Sequence, residues 1–372
     1  MPRPSPSSQP SLLGTLIDSG RLRLVADLGS GSFAQVYRAE LTDSSSNPRQ
    51  FAVKVLYKPG LSQTQLKTQQ NEVRFLKALA DHPNVCKLLK SIETETQLFL
   101  IMELCDTDLF DLIVPPNTTK GTRQGLPEPT VLSIFGQLAS VLAYSHSKGI
   151  YHRDLKPENI LLLRSSMSVK LADFGLATHA KISKEFGCGS VRYMSPECLD
   201  SKLSPEGYSP EMNDVWSLGI ILINLLTGKN PWVEPRSTDI NYSLYLSEQQ
   251  ALSTLKNQFK LSHELATVLS RVFSPDRSRR LSLQAFAESV MHLPYLRAPT
   301  MPLPSPPISI PALSNSPPRI SPTAIGPFSW SHDASEVAFS AAAFQTPPGR
   351  KYLLDTTQLP PLTSNYLVPE DS

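Results

Sequence analysis

Alternating polar and apolar positions mark the first regular segments of the chain. Arg21–Val25 and Gln35–Glu40 alternate on either side of a glycine-containing turn, as the arms of a hairpin do. After the polar, serine-rich connector Thr42–Gln50, Phe51–Leu56 reads as a third strand. From Ser62 to Leu79 the period becomes helical, with Leu66, Val73, Leu76 and Leu79 on one side and Ser62 as candidate cap. Two more strands, around Lys87–Ile92 and Leu98–Glu103, complete a small antiparallel sheet with one helix. Beyond them the pattern is mainly helical, over Glu128–Gly149, Glu211–Thr227, Ser247–Phe259, Ser262–Phe273 and Ser282–Leu293. Val114–Pro129, with four prolines and two glycines, reads as a surface loop. No repeat period is visible.

Proline sharpens the boundaries. Of 34 prolines, four fall in residues 1–10 and fifteen in residues 297–372. The middle keeps an ordinary globular proline content of about 5%, against about 20% in the final stretch. Proline removes a backbone donor and fixes φ, so that density opposes a compact tail. The expected organisation is a Ser/Pro-rich extension over 1–17, one folded unit over 18–296 and a Pro/Ser-rich disordered tail over 297–372. With 35 basic and 33 acidic residues the net charge is +2, without the basic footprint of a nucleic-acid binder. The longest strongly apolar run, Gly219–Leu226, is too short to span a bilayer, so no membrane association is expected. The N-terminal MPRPSPSSQPS lacks a signal-peptide core, and four cysteines in so long a chain do not form a disulfide framework. Reduced thiols in the cytoplasm or nucleus are the expectation.

Four segments carry candidate chemistry. Gly29-Ser30-Gly31-Ser32-Phe33-Ala34-Gln35-Val36 has glycines that let backbone amides approach phosphate, although alone it also fits a plain tight turn. A dinucleotide fold would need a helix next and an acid about twenty positions on. Here a strand-like segment follows, and no Asp or Glu lies between Ser44 and Asn71. Ala52-Val53-Lys54 sets a lysine among apolar strand neighbours, and a carboxylate is needed to hold its flexible stem; Glu72 is the candidate. Tyr151-His152-Arg153-Asp154-Leu155-Lys156-Pro157-Glu158-Asn159 gathers three useful groups. They are an aspartate to take or orient a hydroxyl proton, a lysine to neutralise phosphate and an amide oxygen for a hard cation. Val169-Lys170-Leu171-Ala172-Asp173-Phe174-Gly175 ends a strand in a carboxylate suited to magnesium between nucleotide phosphates.

Together these segments resemble the eukaryotic protein kinases. Glycine loop, strand lysine, helix glutamate, catalytic loop, Asp-Phe-Gly and Met194-Ser195-Pro196-Glu197 occur in the family's order. Asp214-Val215-Trp216-Ser217-Leu218-Gly219 and the arginine of Asp276-Arg277-Ser278-Arg279-Arg280 follow. The resemblance covers roughly residues 20–295. It implies an α+β, bilobal protein kinase fold: a small antiparallel-sheet N-lobe with one main helix (about 18–103) and a larger, mainly helical C-lobe (about 107–296).

By resemblance, Gly29, Ser30 and Gly31 would cover the phosphates of ATP, with Val36 and Ala52 on either side of the adenine. Lys54 would hold the α- and β-phosphates, paired with Glu72. Glu103 and Cys105 would offer backbone groups to the adenine edge, with Met102 at the back of the pocket. Asp108 is a candidate ribose contact, although the glycine usual after the hinge is missing. Asp154 would be the base-like aspartate, Lys156 the phosphate-facing lysine, and Asn159 and Asp173 the Mg2+ ligands. Glu197 would pair structurally with Arg280. Lys156-Pro157-Glu158, with Ser190 near the catalytic aspartate, is similar to the serine/threonine branch. Further residues, from Phe186-Gly187-Cys188-Gly189-Ser190 to Asn224-Leu225-Leu226-Thr227-Gly228, are similar to fungal kinases that adjust growth and sexual development to nutrients.

The expected activity is therefore transfer of the γ-phosphate of Mg·ATP to Ser/Thr hydroxyls of protein substrates. A scaffold lacking catalysis would usually have lost Lys54, Asp154 or Asp173, and all three are present. Arg153 resembles the arginine that receives a phosphate from the activation segment; phosphorylation of Ser183 is expected to order that loop, with Glu185 as an alternative source of the charge. In the tail, Ser305, Ser316, Ser321 and Thr346 each precede proline, and Asp333–Phe344 is a candidate segment for folding on a regulator or docking partner.

Overall fold

The computed structural model describes residues 11–30, 34–42, 48–114, 125–247 and 251–298. The glycine-loop tip, the centre of the 114–129 loop and the tail from residue 299 on, with its Ser/Thr-Pro sites and the 333–344 segment, lie outside the described residues. An antiparallel sheet opens the fold, with strands β1 (Leu16–Ile17), β2 (Leu22–Ser30), β3 (Ala34–Leu41), β4 (Gln50–Tyr57), β5 (Leu88–Glu93) and β6 (Gln97–Glu103). Their spatial order is β1-β2-β3-β4-β6-β5. Contacts to this sheet begin before residue 18, since Leu12 N donates to the Tyr37 hydroxyl at 3.1 Å.

The period of two sorts the sheet's faces. Leu22, Leu24, Tyr37, Ala39, Val53, Val55, Phe99 and Ile101 bury one face together. Lys54, between Val53 and Val55, must therefore point to the other. Helix α1 (Gln63–Ala78) covers that second face with Phe75 and Leu76, which pack with Leu56, Leu98, Leu100 and Met102. Its start is fixed as the sequence predicts: Ser62 Oγ accepts from Gln65 N at 3.3 Å and Gln65 Oε1 accepts from Ser62 N at 2.9 Å. This reciprocal cap sets the helix phase so that Gln69, Glu72, Phe75 and Leu76 face inward.

The rest is mainly helical. After the short β7 (Thr107–Asp108) and α2 (Leu109–Ile113) comes α3 (Glu128–Ser147), then the hairpin β8 (Ile160–Leu163) and β9 (Ser168–Leu171). There follow α4 (Pro196–Leu199), α5 (Pro210–Thr227), α6 (Ile240–Leu246), α7 (Ala251–Phe259), α8 (His263–Val272) and α9 (Leu283–Met291). Helix α5 is apolar on nearly every side and is buried along its length, so it forms the axis on which α3 and α8 pack. The expected helix over 247–259 divides differently: α7 begins at Ala251, and a separate α6 precedes it. Asp239 nucleates α6 by accepting from Asn241 N at 2.9 Å and Tyr242 N at 3.1 Å. Tyr242 and Tyr245 then bury themselves against Trp232. Aromatic packing, not aliphatic periodicity, holds that turn.

Glu197 in α4 meets Arg280 in a two-pronged ion pair at 2.5 and 3.0 Å, and the guanidinium lies 4.8 Å above the ring of Trp216. The Arg280 side chain is 1% exposed, so neither partner tolerates the loss of the other. Glu197→Ala should destabilise the fold by about 3–5 kcal/mol, and the double variant with Arg280→Met by less, in urea unfolding. Equal or larger loss in the double variant would contradict this pairing.

Candidate active site

Strand β2 ends in Gly29 and Ser30, which pair with Val36 and Gln35 of β3; Gly31 lies outside the described residues. A Cβ added at Gly29 would meet no atom within 4 Å, so packing inside the chain does not require this glycine. The open space beside it is what a phosphate-covering loop needs.

Beneath, the register Val36↔Lys54↔Leu100 places Lys54 on the face covered by α1. Its ammonium lies 2.6 Å from Glu72 Oε1 and 2.8 Å from Asp173 Oδ1. Burial opposes the lysine's charge, but the two carboxylates prevail and raise its pKa above the ordinary value. Burial likewise pushes Glu72 up, against the pull of Lys54. Asp173 would also be raised by burial, yet Lys54 holds it down to about 2. Its side chain is 46% exposed and its backbone is left-handed, φ 60°, which turns the carboxylate toward open space while Phe174 stays buried. Phe174 packs edge-on against His152 at 4.8 Å.

The catalytic-loop candidates converge on Asp154. Lys156 Nζ donates to Asp154 Oδ2 at 2.7 Å and to Ser190 Oγ at 3.0 Å. Asn159 Nδ2 donates to the Asp154 carbonyl at 2.8 Å and to Oδ2 at 3.2 Å, which leaves the amide oxygen of Asn159 for another partner. Asp154 Oδ1 is buried without a hydrogen-bond partner among the described residues. A buried, unpaired carboxylate oxygen calls for an explanation, and an incoming hydroxyl supplies one.

Asp214, in the second turn of α5, holds this loop in shape. It accepts from His152 N and Arg153 N at 2.8 Å each and stands 3.0 Å from His146 Nε2. Arg153 needs that support because its backbone is left-handed, φ 68°. In the sequence Asp214 stands only as part of a motif, and His152 carries no assigned role. The signal available was an acid set within a strongly apolar helix, one turn after Glu211.

Arg153 reaches into the activation segment. It donates through Nε to Leu176 O at 2.5 Å and through Nη1 to Glu185 Oε2 at 2.5 Å, with Ser183 Oγ at 3.4 Å. Ser190 sits on Lys156, as described. At the strand linking the two parts of the chain, Ala52 pairs with Met102. Glu103 uses its side chain to accept from Lys87 N at 2.7 Å and to meet Lys170 at 3.0 Å. Cys105 is partly exposed, beside the buried Cys86. Asp108 caps α2 by accepting from Asp111 N at 2.8 Å, and burial pushes its carboxyl up. One of its oxygens is thus committed to the helix. A separate cavity of about 320 Å³, lined by Lys58, Leu66, Gln69 and Leu98 among others, contains none of these groups.

The arrangement can support phosphoryl transfer. A buried lysine meets a left-handed aspartate, and an aspartate oxygen with no partner among the described residues adjoins one held by lysine and asparagine. The donor set also fits Mg2+: one carboxylate and one amide oxygen, with phosphates and waters to complete the octahedron. Comparison with known proteins agrees. Residues 22–296 match the protein kinase domain family. Over 314 residues the chain is 37% identical to a Schizosaccharomyces pombe protein named "Negative regulator of sexual conjugation and meiosis", covering 79% of this chain and 64% of that relative. It is 37% identical over 209 residues to the serine/threonine-protein kinase ksp1 of the same yeast, covering 54% and 42%. It is 31% identical over 277 residues to CBL-interacting protein kinase 2 of Oryza sativa subsp. japonica, covering 73% and 56%. The chain spans less than two thirds of the length of these relatives. It belongs to the protein kinase family.

Lys54 makes both neighbouring carboxyls more acidic than they would be without it. For Asp173, with a folded pKa of about 2 against an ordinary 3.8, the stabilisation is full above pH 4 and fades as pH falls toward 2. The difference in unfolding temperature between wild type and Lys54→Met should therefore shrink from pH 7 to pH 3. A constant difference would contradict the pairing.

Proposed function

We propose that this chain transfers the γ-phosphate of Mg·ATP to serine or threonine hydroxyls of protein substrates. The observation that carries the reading is Asp154. One carboxylate oxygen is held by Lys156 and Asn159, and the other is buried and unpaired. An acceptor hydroxyl at that free oxygen is oriented with its proton on Asp154 and its oxygen toward the phosphate. As the new oxygen–phosphorus bond forms, the bond from the γ-phosphorus to the bridging oxygen breaks, ADP leaves, and the hydroxyl proton passes to the side of Asp154. Lys54 and Lys156 offset the phosphoryl charge from opposite sides; a bound Mg2+, held by Asp173 and the Asn159 amide oxygen, would neutralise the rest.

In this reading Gly29, Ser30 and Gly31 cover the phosphates and the backbones of Glu103 and Cys105 meet the adenine; Val36, paired with Lys54, and Ala52, two positions from it, share a sheet face and so line the adenine from one side instead of flanking it. Asp108 keeps one oxygen for a ribose hydroxyl. Lys156 bonded to Ser190 supports the serine/threonine branch, as do the names of the relatives. The yeast relative named for conjugation and meiosis supports a role in nutrient or developmental signalling. We place the protein in the cytoplasm or nucleus; among the described residues no helix is long and apolar enough to cross a membrane. The tail, in this reading, contacts regulators or docking partners and takes no part in catalysis.

The test is phosphate incorporation from Mg·ATP into a generic serine/threonine peptide. Asp154→Asn should lower kcat by about 10²–10⁴-fold at similar stability. Wild-type labelling no higher than this variant would favour a scaffold. A chain ended at residue 298 keeps the last described contact, Ala298 N to Lys260 O at 2.8 Å, and should phosphorylate the peptide as the full chain does. Loss of activity on that truncation would assign the tail a catalytic part.

A further inference from the structure

Arg153 is a charge with little room to find water. Its side chain is 7% exposed, it directly precedes Asp154, and its backbone is fixed by Asp214. The carboxylate that meets its guanidinium comes from Glu185, 70% exposed, in the middle of the activation segment. Asp214 spends its two oxygens on backbone N–H groups and on His146. Cys188 and Tyr208 lie near the guanidinium, but burial keeps the thiol and the phenol protonated. Through Leu176 O and Glu185, Arg153 thus fastens both halves of the activation segment to the residue before the catalytic aspartate.

The described serine and threonine hydroxyls of that segment are either hydrogen-bonded or shut away from solvent. Ser183 is 5% exposed, and its backbone bridges Tyr208 in both directions at 2.8 and 2.9 Å. Its Oγ accepts from Glu185 N at 3.2 Å. Thr178 bridges Tyr151 at 2.9 and 3.0 Å, with its Oγ1 accepting from Ala180 N at 3.1 Å. Ser190 is held by Lys156, and Ser195 is fully buried. A phosphate on Ser183 would bring about two negative charges into a closed bridge beside a carboxylate, where like charges repel.

We propose that Glu185 is a positioning residue. It supplies in encoded form the negative charge that orders the activation segment on Arg153, so that Asp154 holds its working arrangement with no phosphate on that segment. The inference rests on the protein kinase reading. It separates the two sources of charge that the sequence leaves open, and assigns the task to Glu185 in place of phosphorylated Ser183.

The experiment uses the full chain, treated with a phosphatase and checked by mass spectrometry for loss of phosphate from residues 173–197. Peptide phosphorylation should stay within about twofold of the untreated protein. Glu185→Gln, nearly isosteric, should lower kcat on the order of tenfold, as expected for a lost charge-assisted hydrogen bond, with Glu185→Asp recovering part. Its unfolding temperature should barely move, because so exposed an ion pair contributes little to stability. A purely structural role would shift stability and kcat together. Activity lost on dephosphorylation, or full activity of Glu185→Gln, would overturn the proposal. Amide exchange at Ser183 and Tyr208 needs no catalysis and keeps the two readings apart. It should speed up about tenfold in Glu185→Gln even if no form labels peptide, in which case the catalytic reading alone fails. Unchanged exchange would overturn the present one.

Discussion

A buried ammonium between two carboxylates is the interaction on which the site depends. Lys54 comes from β4, Glu72 from α1, and Asp173 from the turn after β9. No two belong to one element, so their contact fixes the helix on the sheet and the turn beneath it. Withdrawing such charges from water is unfavourable unless they find partners. Here the two inner groups, 11% and 3% exposed, satisfy each other, while the third remains open at 46%. The triad is thus closed at its buried end and free at the end where a nucleotide's phosphates and a cation would be received.

The second constraint is backbone shape. Arg153 and Asp173, at φ 68° and 60°, occupy a region that L-residues enter at some energetic disadvantage. In sequence they bracket the candidate catalytic groups Asp154, Lys156 and Asn159. Asp214 offsets the first by accepting two consecutive N–H groups. At the second, Asp173 caps its own turn by accepting from Gly175 N at 3.3 Å. Asp214 can do this because it lies, fully buried, near the N-terminal end of α5, which is buried along its length. The axis of the helical part therefore reaches the chemistry through one carboxylate.

Most of this was legible in the sequence because it lies in local order. The strand over Phe51–Leu56 sets Lys54 opposite its neighbours Val53 and Val55, and the cap at Ser62 sets the phase that turns Glu72 inward. The catalytic nonamer announces Asp154, Lys156 and Asn159 together. What escaped depends on contacts between distant residues. Asp214 meets residues about sixty positions away, and it reads as one more polar residue of α5 until the loop is placed over it. The Tyr242–Tyr245 helix is held by Trp232 and by Phe273, the latter 28 positions beyond Tyr245. Asp108 was read for a ligand, and a helix cap was already using one of its oxygens. For Arg153, the sequence left two sources of charge, and the contact of the Glu185 carboxylate with its guanidinium, across 32 positions, is visible only in the fold.

If the triad works as one device, its members should not contribute independently. The most direct measurement is a double-mutant cycle on peptide phosphorylation, with Lys54→Met, Glu72→Gln and the pair, at saturating Mg·ATP. The account predicts that each single change removes most of kcat and that the double variant is little worse than either, as groups acting together do. Small losses that multiply in the double variant, or activity near that of wild type in Lys54→Met, would contradict it.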